Sequence, residues 1–247
     1  YDIIVFLAIG AAGMALGSRH ATAGVKRQHW LKYFTYILFT GIVVTGMFRG
    51  FFAGVAAVIA VASLAELFTV NYHGGRINVK KWFPAMLVFI PVAAGFILFA
   101  ATFDYPFLLF VYLPVLVFDG FCQITGQLIG KRLLAPSVSP AKTVEGLVGG
   151  LVFGIIAAIL GTVWVSISVA GAIGVGLATG LVAGAGDLLA SWYKRKTGVK
   201  DYSNWLPGQG GFLDRYDSFM LVGAAWYLFY SLSGNENFPA VFKEMHT

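Results

Sequence analysis

The sequence predicts an all-α, polytopic integral membrane helix bundle of about eight transmembrane helices, and three observations carry that expectation. Of 247 residues, 58% are hydrophobic and only 11% are charged, with a mean hydropathy of +0.79. That balance excludes an ordinary water-soluble domain. Apolar runs recur along nearly the whole chain, most of them close to the ~20 residues that a helix needs to cross hydrocarbon. The cations fall in alternate connections, as expected of a chain that weaves through a membrane.

The first run, 3–17, is short, but it lacks the charged n-region and cleavage site of a secretory signal and is read as a span. Runs at 31–48, 51–70 and 83–102 follow, making an N-terminal region of about four helices over 1–102. Runs at 105–129, 144–166, 168–190 and 217–233 belong to a C-terminal region over 103–247, with polar connections at 130–143 and 191–216. Pro91 and Pro114 fall inside spans and are expected to kink them. Gly146, Gly150 and Gly154 recur at every fourth position, as do Gly176, Gly180 and Gly184. Such ladders let two helix backbones approach closely.

Charge orients the bundle. Lys and Arg stand at 19, 26, 27 and 32, at 76, 80 and 81, at 131, 132 and 142, and at 194, 195, 196, 200 and 215, so fifteen of the 17 share one side. Only Arg49 and Lys243 lie opposite. The positive-inside rule makes the rich side cytoplasmic. A pI near 9.4 then reflects this bias and contact with anionic membrane lipids, without nucleic acid as a partner. Cys122 is the only cysteine, which rules out an intrachain disulfide and a thiolate metal site.

The chemistry-bearing residues are concentrated. The run from Ser191 to Asp217 holds Lys194, Arg195, Lys196, Lys200, Asp201, Asp214, Arg215 and Asp217 around a Gly208-Gln209-Gly210-Gly211 turn, and Asp187 precedes it. Carboxylates beside cations and bare glycine backbone suit a metal-bound polyphosphate. The acids hold the ion, the cations meet phosphate oxygens, and backbone N–H groups approach closely. Asp214 and Asp217, at i,i+3, share a helix face. A plainer reading is dipole complementarity at a helix N-terminus with ion pairs to Arg215 or Lys194, but it leaves Asp187 unexplained. Asp201 is expected to orient Lys200 or Arg195.

Asp119 sits within an apolar run, where a carboxylate costs roughly 2.5–3.5 kcal/mol on insertion scales and needs a cavity, a cation or a donor. Gln123 and Gln127 extend a polar stripe on its face. Glu66, at the end of the third run, reads at least as readily as a snorkelling acid. Ser139-Pro140-Ala141-Lys142-Thr143-Val144-Glu145 opens the sixth run. Ser139 or Thr143 is suited to cap a helix N-terminus that favours phosphate, with Lys142 adding charge. An ordinary capped cytoplasmic loop explains the same residues equally well when they are read alone.

Two blocks together resemble the phosphatidate cytidylyltransferases, or CDP-diacylglycerol synthases, over about residues 115–218. One is Ser191, Lys194-Arg195, Lys200-Asp201, Pro207-Gly208, Gly210-Gly211 and Asp214-Arg215-Tyr216-Asp217. The other is Asp119-Gly120, Gly126, Gly130-Lys131 and the segment from Leu134 to Gly146. Gln209 departs from the family's usual His. The resemblance implies a membrane nucleotidyltransferase that makes CDP-diacylglycerol and pyrophosphate from CTP and phosphatidate. It also implies a bacterial cell membrane, with the active site facing the cytoplasm.

The implied catalytic group is Asp119, Lys142, Asp187, Lys200 and Asp214. Substrate binding falls to Ser139, Thr143, Glu145, Ser191, Lys194, Arg195, Asp201, Gln209, Gly210, Gly211, Arg215 and Asp217. Mg²⁺, at one cation site or two, falls to Asp187, Asp214 and Asp217. A homodimer stays open, as do another lipid phosphate, a polyprenol, or a non-enzymatic role in lipid binding or transport.

Overall fold

A computed structural model describes residues 23–73, 76–206 and 209–234. The helices among them are α1 (Ala23–Phe48), α2 (Phe52–Asn71), α3 (Val79–Thr102), α4 (Tyr105–Ile129), α5 (Val144–Leu160), α6 (Val169–Thr197) and α7 (Phe212–Leu232). Each falls on one of the last seven apolar runs; the first, 3–17, lies outside the described residues. Four two-to-five-residue strands complete the elements: β1 (Tyr72–His73), β2 (Arg76–Ile77), β3 (Leu133–Ala135) and β4 (Ser139–Thr143). They pair as two antiparallel hairpins.

Among the described residues, α2, α3, α4, α6 and the stretch Val144–Val163 are long and apolar enough to cross a membrane, and Tyr33–Phe48 of α1 is a shorter apolar segment. The chain is therefore a helical integral membrane protein. The expected count of eight spans is not established by these helices, since α1 is apolar over only part of its length and α7 carries charge in its first turns.

Helix α4 is the axis. Every residue from Phe107 to Phe118 is buried, as expected of a helix apolar all round. Glycines let α5 lie against it: a Cβ at Gly150 would come within 2.9 Å of the Phe118 carbonyl, and one at Gly146 within 2.7 Å of the Cys122 carbonyl. On α6, a Cβ at Gly176 would meet the Ile155 backbone at 2.8 Å, and one at Gly180 would meet the Phe118 ring at 3.2 Å. Both ladders are packing seams, and Cys122 packs there as a small apolar residue. Aromatic edges join the other layer, with Phe219 of α7 5.2 Å from Phe96 and 4.7 Å from Tyr112 between ring centres.

Three boundaries differ from expectation. Helix α6 continues to Thr197, so Ser191, Lys194, Arg195 and Lys196 are helical and the connection begins at Gly198. Cations in a last turn complement the helix dipole, and Gly198, at φ +84°, adopts the left-handed conformation that closes the helix. Helix α7 starts at Phe212, five residues before the apolar run, because Asp214 accepts from the Gly211 N–H at 2.9 Å and satisfies its free end. The 130–143 connection contains a β3–β4 hairpin and is not an open loop.

Candidate active site

The cation-rich connections meet at one end of the bundle. Lys81 Nζ donates to the Lys196 carbonyl at 2.8 Å, and Arg195 Nε donates to the Val138 carbonyl at 3.1 Å. The start of α3, the hairpin β3–β4 and the end of α6 are thus held together.

Hairpin β3–β4 delivers Lys142. Thr143 caps α5, its Oγ1 accepting from the Gly146 N–H at 3.1 Å. Glu145 folds back onto the Lys131 and Arg132 N–H groups at 3.0 and 3.1 Å. Those backbone hydrogen bonds hold its carboxyl at the base of the hairpin, so its visible work is to fix where the hairpin joins α5. With the hairpin fixed, Lys142 Nζ reaches Asp187 Oδ2 at 2.7 Å and Ser191 Oγ at 3.4 Å. Ser139 lies at the start of β4 and does not cap the helix.

Asp214 is the best-supported carboxylate of the C-terminal block. Lys194 Nζ, on a residue only 9% exposed, donates to its Oδ1 at 2.6 Å. Its Oδ2 accepts from the Tyr202 N–H at 2.7 Å and the Gly211 N–H at 2.9 Å. Burial pushes the Tyr202 phenol well above its ordinary range, so it remains a donor, to the Ala190 carbonyl at 3.1 Å.

Asp217 is less well supplied. Its Oδ1 accepts from the Ser218 N–H at 2.7 Å, while Oδ2 is buried without a partner among the described residues. Ser218 Oγ lies 3.4 Å from Asp217 Oδ1 and also 3.4 Å from Asp119 Oδ1. One hydroxyl carries one proton, so it serves one of the two acids at a time. Asp187 lies within electrostatic reach of both. Three helices, α4, α6 and α7, thus bring Asp119, Asp187 and Asp217 into one neighbourhood.

Among the described residues no three His, Cys, Asp or Glu side chains form a ready ligand group for a metal. The donor chemistry still suits Mg²⁺, which takes oxygen ligands and is commonly held by one or two carboxylates plus substrate phosphates. The unpartnered buried oxygen of Asp217 and the exposed side of Asp187 are places for such bonds.

Other expected residues stand apart. Arg195 spends Nε and Nη1 on the Val138 and Val199 carbonyls. Arg215 stacks 4.4 Å above the Tyr36 ring and forms no ion pair with Asp214 or Asp217, though it lies within electrostatic reach of Asp119. Lys200 and Asp201 are exposed, and Asp201 makes no ion pair with Lys200 or Arg195, against expectation. Both side chains point to water from a connection whose backbone is anchored at Tyr202 instead. Gln123 and Gln127 are exposed on α4. In the glycine turn, Gln209 N donates to the Leu206 carbonyl at 2.9 Å and Leu206 N to the Gly210 carbonyl at 2.8 Å. Gly210, at φ +85°, takes the left-handed conformation there. Pro207 and Gly208 lie outside the described residues.

Sequence reasoning passed over Tyr202, Ser203, Ser218, Tyr193 and Asn71. Ser218 adjoins Asp217, and Tyr202 follows the Lys-Asp pair, so position beside a motif was the available signal.

Comparison with known proteins agrees with the two blocks. The sequence matches the family described as the cytidylyltransferase family over residues 3–233. It is 39% identical over 135 residues to the phosphatidate cytidylyltransferase of Staphylococcus haemolyticus, covering 53% of this chain and 52% of that protein. The protein of the same name from Staphylococcus saprophyticus is 42% identical over 118 residues, covering 47% and 45%. That from Staphylococcus aureus is 41% identical over 135 residues, covering 53% and 52%. The chain spans about half the length of the curated relatives it matches.

Proposed function

The chain belongs to the cytidylyltransferase family, and from that premise we propose that it joins CTP to phosphatidate, giving CDP-diacylglycerol and pyrophosphate. One observation carries the reading. Residues of the 119–146 block and of the 187–218 block meet in a single site, through Lys142 with Asp187 at 2.7 Å and Ser218 between Asp119 and Asp217.

An oxygen of the lipid phosphate attacks the α-phosphorus of CTP. The new P–O bond forms as the bond to the β-phosphate bridging oxygen breaks, and pyrophosphate leaves with that electron pair. A phosphate monoester has a second pKa of ~6 and is already a dianion at neutral pH, so no general base is needed. Gln209 fits this, since an amide donates a hydrogen bond but does not titrate. Lys142 and Lys194 each carry an ammonium against a carboxylate, so phosphate oxygens meet cations already oriented. Arg215, within electrostatic reach of Asp119, adds further positive charge beside the acids. Ser191, 6% exposed, sets the angle of Lys142.

Asp187 and Asp217 would hold Mg²⁺, with Asp119 beside them. Asp214, expected from the sequence to join them, has both oxygens taken by Lys194 and the Tyr202 and Gly211 N–H groups and instead orients Lys194. When bound, Mg²⁺ stabilises negative charge on the attacking and leaving oxygens. The site faces the cytoplasm in this reading, where the cation excess lies and CTP is present.

The purified full-length chain in lipid nanodiscs, given CTP and short-chain phosphatidate, is expected to release pyrophosphate and form a CDP-lipid only when both substrates are present. No release with phosphatidate or any other lipid phosphate would overturn the enzyme reading. Release with a polyprenyl phosphate alone would move the acceptor. In a Cys122→Ser background, cysteines at Asn78 and Asn204 are expected to label from the cytoplasmic face. Labelling from opposite faces would undo the single-site orientation.

A further inference from the structure

The geometry points to Glu66, on α2, as a positioning residue for the reaction proposed above. It is the brace from the N-terminal half that sets the start of α7 and, with it, Asp214 and Asp217. This rests on that reading for its consequence in turnover, though not for the contacts themselves.

Glu66 is 0% exposed. A carboxylate taken out of water needs a full set of donors, and here they come from across the sequence. Its Oε1 accepts from Ser203 Oγ at 2.6 Å and from the Phe212 N–H at 2.8 Å. Its Oε2 accepts from the Leu213 N–H at 2.9 Å. Phe212 and Leu213 are the first two residues of α7, and their N–H groups have no partner within the helix. Glu66 therefore caps α7 in trans, while Asp214 takes the preceding N–H, that of Gly211. Two acids share one N-terminus, where the helix dipole favours negative charge. No Lys or Arg pairs with Glu66 among the described residues.

The fit is close enough to dictate a neighbour. A Cβ at Gly211 would collide with the Glu66 carboxylate. Gly211 is thus glycine to admit a carboxylate, independently of any approach to phosphate. Five residues along α2, Asn71 Oδ1 accepts from Tyr193 Oη at 3.0 Å. Helix α2 therefore holds both flanks of the 198–211 connection, at Tyr193 on α6 before it and Phe212 on α7 after it, and also holds Ser203 within it. Turning the α7 N-terminus by even part of a residue would move Asp214 off Lys194 and Ser218 off Asp119.

Hydrogen exchange and steady-state kinetics on the full chain in nanodiscs test this. Glu66→Gln preserves size but replaces one acceptor oxygen with a donor that faces N–H groups. Exchange at Phe212 and Leu213 is expected to rise about thirtyfold or more, with protection later in α7 unchanged. Turnover is expected to fall about tenfold or more, with KM for CTP within about threefold. Gly211→Ala is expected to slow turnover in the wild type and to cost little further in a Glu66→Ala background, where the methyl group has room.

Wild-type exchange and turnover in Glu66→Gln would overturn the inference, as would additive losses in the Glu66→Ala, Gly211→Ala pair. Protection lost uniformly along α7 would make Glu66 a residue of the fold alone and also overturn it. If the wild type proves inactive toward CTP, the proposed function fails while the exchange measurement still decides whether Glu66 holds α7. If Glu66→Ala does not fold, the Glu66→Gln arm decides.

Discussion

Glu66 and Asp217 both bring a carboxylate into the bundle near the start of α7, yet the protein treats them differently. Glu66 receives three donors at 2.6–2.9 Å, all from the protein. Asp217 has the Ser218 N–H on one oxygen and a buried second oxygen with no partner among the described residues, and it shares one serine hydroxyl with Asp119. Buried polar groups are satisfied in the great majority of cases. A fully supplied acid is therefore a structural component, whereas one left short of donors marks the place where something else binds. Asp214 is supplied as fully as Glu66, by Lys194 at 2.6 Å and the Tyr202 and Gly211 N–H groups at 2.7 and 2.9 Å. Asp187 stands between the extremes, holding Lys142 at 2.7 Å with its other side exposed.

The comparison breaks most sharply at Asp187. Asp187→Asn keeps the size of the side chain but removes the charge facing Lys142 and the cation. Pyrophosphate release is expected to fall by about 10²–10³-fold, with helix content by circular dichroism unchanged. A near-normal rate would return Asp187 to a plain ion pair.

Lys142→Ala probes the other side of that pair. If Lys142 grips the triphosphate in the ground state, KM for CTP is expected to rise about tenfold, the equivalent of ~1.4 kcal/mol, with kcat little changed. A fall in kcat at constant KM would assign the lysine to the transition state instead.

Gln209→His is expected to change the rate by about tenfold or less, because a dianionic nucleophile needs no base. A wild type inactive on phosphatidate and rescued by this change would show that the side chain titrates. Smallest is Asp201→Asn. That side chain is exposed and makes no ion pair among the described residues, so its effect on stability is expected within about 0.5 kcal/mol and its turnover close to wild type.

Apolar runs located the helices well, because burial in hydrocarbon writes itself into composition. They misjudged helix ends that leave it: α6 carries Lys194, Arg195 and Lys196 in its last turn, and α7 begins on Asp214's capping bond. Hydropathy does not report either kind of end. The two motif blocks were legible as candidates, and their meeting through Lys142, Asp187 and Ser218 was not, since it depends on three helices crossing. Glu66 was the hardest to read. A lone acid at a helix end looks like a snorkelling side chain, and its partners Ser203, Phe212 and Leu213 lie more than 130 residues away.

A Mg²⁺ titration of pyrophosphate release in wild type, Asp217→Asn and Glu66→Gln tests the distinction between the two acids most directly. Asp217→Asn is expected to raise the Mg²⁺ concentration for half-maximal rate by about tenfold or more, while Glu66→Gln lowers the maximal rate at an unchanged Mg²⁺ requirement. A shifted requirement in Glu66→Gln beside an unshifted one in Asp217→Asn would contradict it.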